Sequence, residues 1–185
     1  MSSRIQHSDL APLISLVHHR WNIPIVAELH RHSGAKFVTM IKHLDVSRAS
    51  LSASLADLVD RGLVCKNKGY GHPMRPEYLL TRDGKSIGEQ CLELTRIVRQ
   101  GEQADLAFRK WTLPLVAAIG NETRRFNEVR SLLVGATPRA IAIGLKSLSE
   151  QGWASRSLID EYPPTAGYRL MHKGQRVLGC VEGLY

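Results

Sequence analysis

The sequence predicts a mainly α-helical protein with two small β-hairpins, built as two tandem copies of one unit. Three observations carry that reading. "SRASLSASLADLVDRGLV", Ser47 to Val64, recurs 90 residues on as "TPRAIAIGLKSLSEQGWA", Thr137 to Ala154, with its apolar positions and its glycine in the same places. "RWNIPIVAELH" from Arg20 is answered in the same way by "KWTLPLVAAIG" from Lys110. After each glycine the helical spacing gives way to alternation and turn residues, then returns. A repeat of this length fixes the architecture before any local motif does.

Within each copy the elements follow in order. Trp21 to about His32, and Trp111 to about Gly120, have helical apolar spacing, and short amphipathic runs follow Phe37 and Phe126. Ser47, and Thr137 with Pro138 after it, are N-cap signals: the hydroxyl accepts a backbone N–H, and proline has none to leave unpaired. Leu51, Leu55 and Leu58 mark one face of the next helix, as do Ile141, Leu145 and Leu148. Gly62 and Gly152 supply the left-handed residue that ends it.

"LVCKNKGYGHPMRPEYLLT" and "WASRSLIDEYPPTAGYRLM" read as two strands around a Gly- or Pro-rich tip, and both re-enter a helix, at "RDGKSIGEQCLELTRIVRQ" and "HKGQRVLGCVEGLY". Three helices, a hairpin and a closing helix make a winged helix-turn-helix, here twice. The first domain is expected over residues 1–99 and the second over 100–185. The connection, with Gly101 as its one breaker, predicts joined helices and not a floppy tether.

Composition agrees. The chain has 185 residues, 43% hydrophobic and 23% charged, which excludes disorder. Its 25 Lys and Arg against 17 Asp and Glu, net +8, favour an anionic partner. The longest early apolar run, "LAPLISLV", is interrupted by Pro12 and falls far short of the ~20 residues of a bilayer span, so a cytoplasmic protein with no membrane partner is expected. Cys65, Cys91 and Cys180 form no CxxC pair and read as reduced thiols.

The ordered series Lys110-Trp111, Arg125-Phe126 with Glu128, Leu145 through Leu148 to Gly152, Pro163-Pro164 with Tyr168 and Leu170, and Gly174 resembles the HxlR-type bacterial transcriptional regulators, relatives of MarR-type proteins. The first half is similar more loosely, through Lys36-Phe37, Leu55, Leu58, Gly62, Leu63, Pro73, Tyr78, Leu80, Thr81 and Gly84, and lacks one proline of the usual pair. The resemblance implies binding of double-stranded DNA, with the glycine-terminated helix as reader and the hairpin as wing. It leaves room for a small-molecule effector, for which the sequence names no chemistry, and for a homodimer. Family members usually carry one such domain; two copies leave open a fused pseudo-dimer or one copy turned to another task.

A reading helix must present polar or basic groups away from its leucines. In the first copy the helix offers Ser47, Arg48, Ser50, Ser52 and Ser54, and the wing offers Lys66, Lys68, His72 and Arg75. In the second copy the matching positions are mostly apolar and the wing holds Asp160 and Glu161, although Arg139 and Lys146 retain positive charge. The first copy is therefore expected to read DNA. The competing reading is a protein-binding scaffold without DNA affinity, for which the apolar second helix speaks.

No cofactor is expected. "GKSIG" at Gly84–Gly88 fits G-x-S-x-G, but that pattern needs a strand before it and an ordered Asp and His downstream on a large α/β sheet, a layout this chain lacks, so no catalysis is expected. The members of each pair, His18 with His19 and His30 with His32, point to different sides of a helix, and no nearby cysteine or carboxylate is read as completing a ligand set, so no metal site is expected. Cys65 sits among basic residues, a setting that raises the idea of a redox sensor, but thiol-switch members usually carry the sensing cysteine before the first tryptophan helix, where this chain has none. A buried or idle thiol is the expectation.

Overall fold

The structure is a computed structural model and describes residues 6–67, 77–159, 162 and 164–185. The chain divides into two compact units: Leu16–Glu102, and Gln103–Tyr185 together with residues up to Ser15.

In the first unit, helix α2 (Asn22–His32) leads through strand β1 (Ala35–Lys36) into α3 (Phe37–Leu44) and α4 (Arg48–Asp60). The Ser47 hydroxyl accepts from the Ser50 N–H at 3.2 Å and caps α4. Gly62, at φ +70°, ends the helix region where a side chain would be strained. Strands β2 (Val64–Asn67) and β3 (Glu77–Leu80) pair antiparallel, and helices α5 (Arg82–Ser86) and α6 (Gly88–Gln100) follow. The sequence predicted one closing helix here; the chain breaks it at Ile87. Leu51, Leu55 and Leu58 are buried, and α2 packs against α6, where Cys91, Leu94 and Val98 are sealed from solvent.

The second unit repeats the order: α7 (Ala104–Ala107), α8 (Thr112–Ile119), β4 (Arg124–Arg125), α9 (Phe126–Leu132), α10 (Pro138–Glu150), β5 (Ala154–Ile159), β6 (Thr165–Leu170) and α11 (His172–Val181). Thr137 caps α10 by accepting from the Ala140 N–H at 3.1 Å, as Ser47 caps α4. Trp153 is 1% exposed, and its indole N–H donates to Gln103 Oε1 at 2.7 Å, giving the ring's polar edge a partner at the margin of the core.

Two features go beyond the sequence reading. Each hairpin is joined by the two-residue strand before it, so the sheets have three strands, in the orders β1-β3-β2 and β4-β6-β5. The chain also opens on helix α1 (His7–Leu16), whose residues up to Ser15 belong to the second unit although the sequence reading placed them with the first copy. Leu10 and Leu13 are fully buried, and His7 Nδ1 donates to the Leu132 carbonyl at 2.9 Å.

The duplication is visible in one close approach. The first turn of α5 crosses the backbone just past the α4 terminus, so that a Cβ at Gly84 would strike the Leu63 carbonyl. A Cβ at Gly174, in α11, would strike the Trp153 carbonyl in the same way. Both helices enter from residues whose N–H groups donate to those same carbonyls, Thr81 to Leu63 at 3.0 Å and Met171 to Trp153 at 2.8 Å.

Candidate nucleic-acid interface

The helix-turn-helix of the first unit is α3, the turn around Asp45 at φ +51°, and α4. Three links orient α4. Its leucines are buried. The Arg48 guanidinium stands 6.0 Å from the Phe37 ring centroid, a cation–π contact between the starts of the two helices. Asp57 accepts from Asn22 Nδ2 at 2.7 Å and from Arg61 Nε at 2.6 Å, tying α4 to the fully buried Asn22 of α2. Burial pushes the Asp57 carboxyl up, but hydrogen bonds from Arg61 and Asn22 outweigh it and hold the group below the ordinary aspartate range.

The exposed side of α4 is formed by Arg48, Ala49, Ser52, Ala53, Ala56 and Asp60. Arg48 and Ser52, four residues apart, share one strip of the helix. Between its two charged ends no exposed side chain is larger than serine. A helix with so low a profile suits a major groove about 12 Å wide, because its backbone can approach the base edges.

The residues singled out in the sequence divide as follows. Ser47, Arg48 and Ser52 are exposed. Ser50 is half-buried, and its Oγ accepts from the Ser47 hydroxyl at 2.9 Å. Ser54 is corrected: it is 1% exposed, on the stripe between Leu51 and Leu58, and cannot reach a phosphate or a base. Lys66 is exposed on β2, opposite Tyr78 of β3, with its Nζ 5.9 Å from that ring's centroid. Lys68, His72 and Arg75, and the second wing's Asp160 and Glu161, lie outside the described residues. Cys65 is exposed, not buried; Cys91 and Cys180 are buried, and none of the three is disulfide-bonded.

The second copy presents a different face. The exposed residues of α10 are Pro138, Arg139, Ala142, Ile143, Lys146 and Glu150. Lys146 Nζ lies 3.7 Å from Glu150 Oε1, so part of its charge is answered within the helix. Ile143 is 54% exposed and Leu158, on β5, is 74% exposed. Where the first copy buries Ser54, the second has Gly144, whose missing side chain makes room for Leu115.

Sequence reasoning also missed a group on α2 and α3. Glu28, His32 and His43 bring one ligand-type atom each to within 4.8 Å of one another. The Glu28–His32 spacing of four was a usable signal; the arrival of His43 from α3 was not visible locally. Among the described residues, no helix is long and apolar enough to cross a membrane.

The chain was compared with known families and structures. A model of HxlR-like helix-turn-helix proteins matches residues 16–104 and, separately, 106–185. Among solved structures, a protein described as a MarR-family transcriptional regulator from Porphyromonas gingivalis W83 is 27% identical, with a TM-score of 0.42, over 46% of this chain and 81% of its own. Diamide-treated YodB from B. subtilis is 20% identical, with a TM-score of 0.39, over 42% of this chain and 77% of its own.

Proposed function

Because the chain belongs to the HxlR-like helix-turn-helix family, matched over both of its copies, we propose that it is a cytoplasmic, effector-responsive transcriptional regulator that binds double-stranded DNA through the first copy. Family membership sets it among regulatory proteins and not enzymes. The observation that supports the first copy as reader is the exposed side of α4, low in profile with Arg48 at its entry and Ser52 on the same strip, followed by a strand that exposes Lys66. Phosphates take the cations, and base edges meet a helix with little side-chain bulk in the way. Ser47, Ser50 and Ser52 line the entry of that helix; Lys68, His72 and Arg75, which lie outside the described residues, are assigned to DNA from the sequence alone.

The second copy is read as an interaction module. Exposed Ile143 and Leu158 favour an apolar partner over a polyanion, with Arg139 and Lys146 assisting. With one reading head per chain, a palindromic operator takes a homodimer of chains, its half-sites about one helical turn apart.

Selection from a random duplex pool with the full-length protein tests this. An enriched motif supports the regulator, and a palindrome supports two chains on it. Salt-sensitive retention of DNA without any enriched sequence refutes the proposal and leaves only nonspecific charge.

A further inference from the structure

We infer that Glu28, His32 and His43 form a binding site for a divalent transition-metal ion of the zinc class in the first unit. Glu28 and His32 lie one turn apart on α2, and His43 comes from the last turn of α3. Glu28 Oε1 is 3.4 Å from His32 Nε2 and 2.5 Å from His43 Nδ1. In a tetrahedral site with bonds of about 2.0–2.1 Å, neighbouring ligand atoms stand about 3.3 Å apart, so a small outward turn of the His43 ring opens the trio to that geometry. The rings of His32 and His43 already face each other at 5.6 Å between centroids, tilted 55°. Two imidazoles and one carboxylate suit zinc, cobalt and nickel, not calcium or magnesium, which take oxygen ligands.

Burial and the repeat both favour a ligand role. The Glu28 side chain is only 8% exposed, whereas those of His32 and His43 are 45% and 47% exposed. The carboxylate is thus the inner anchor, and the histidines stand on the solvent side, where an ion can enter and keep a water ligand. The second copy shows that the fold does not need these side chains. Glu28 and His32, at an offset of 90, correspond to Ala118 and Glu122, and His43, at the 89 that holds from Phe37 to Phe126, corresponds to Leu132. Ala118 and Leu132 are simply core. A buried acid at a position where the same fold accepts alanine, with two histidines gathered on it, calls for a cation.

The competing account is a plain hydrogen-bonded cluster with no affinity for metal. Full-length protein, freed of metal with a chelator and without DNA, is titrated with zinc against a chromophoric competitor, and with cobalt as a spectroscopic probe. The expected result is one equivalent per chain at micromolar affinity or better, with a tetrahedral cobalt spectrum. His32→Ala and His43→Ala each lower the affinity at least about tenfold, and Glu28→Gln does likewise. Both histidines are about half exposed, so their removal leaves the core closed, and circular dichroism checks that the variants fold. A paired His18→Ala and His19→Ala variant keeps the wild-type isotherm. Absence of stoichiometric binding overturns the site, as does binding that persists in both single-histidine variants or that disappears with His18 and His19.

Discussion

Replacing Asp57 by alanine tests whether α4 is held on α2 by a carboxylate as well as by its leucines. Asp57 accepts from Asn22 Nδ2 at 2.7 Å and from Arg61 Nε and Nη2 at 2.6 and 3.0 Å. The Arg61 and Asp57 side chains are 26% and 18% exposed. That pair is partly wetted, and about 0.5–1 kcal/mol is a fair value for it after solvent screening. The Asn22 bond lies inside. Its loss removes a charge-assisted bond and leaves one amide hydrogen of a fully buried side chain unpaired, about 1.5–2 kcal/mol. A destabilisation of about 2–3 kcal/mol corresponds to a fall of about 30- to 150-fold in the protection of the first unit's amides.

Amide hydrogen exchange on the full-length protein reads this directly, because amides of α2 and α4 report the first unit while those of α8 and α11 serve as the internal reference. The effect also has a sign with pH. The folded Asp57 carboxyl lies below its ordinary value. Its contribution is therefore fully present above the unfolded value of about 3.9 and is lost as pH falls through the lower folded value. Wild type and variant should differ at neutral pH and converge in acid. A change below about threefold in α2 and α4, or an equal fall in both units, would show that the leucine face alone positions the helix.

Further outcomes are expected. In gel-shift titrations, Arg48→Ala and Lys66→Ala each reduce the log–log salt slope by about 0.9, one phosphate contact apiece, while Arg139→Ala and Lys146→Ala change it little; equal losses would remove the distinction between the copies. Gly84→Ala and Gly174→Ala, each driving a Cβ onto a backbone carbonyl, cost about 1–3 kcal/mol in thermal melts; neutral substitutions would mean that the crossing helices shift freely. Cys65→Ser leaves DNA binding and its response to peroxide and diamide unchanged, and a variant that escapes an oxidant seen in wild type would establish a thiol switch instead.

Much of this architecture was legible in the sequence because its signals are local. A hydroxyl before a leucine stripe and a glycine after it mark both ends of a helix, and Ser47, Gly62, Thr137 and Gly152 all act as those residue types predict. Strands β1 and β4 were not legible: two residues carry no periodicity, and they become strands only when β3 and β6 arrive to pair with them. Ser54 was misread despite an available signal, since it falls three residues after Leu51 and four before Leu58, on the buried stripe itself. A small hydroxyl is tolerated there, so residue type misled where spacing would not have. The Glu28, His32 and His43 group depends on the packing of α3 against α2, a long-range fact that no window along the chain contains.

The paired glycines and their mismatched neighbours bear on how such a chain can change. In an assembly of identical subunits, every codon change reaches both heads at once, so neither can diverge alone. Here the two copies share glycine at Gly84 and Gly174, while Ala53 and Ile143, or Ser54 and Gly144, differ within one chain. Covalent linkage also holds the two versions at a one-to-one ratio in every molecule, so specialisation of one does not depend on balanced supply of the other.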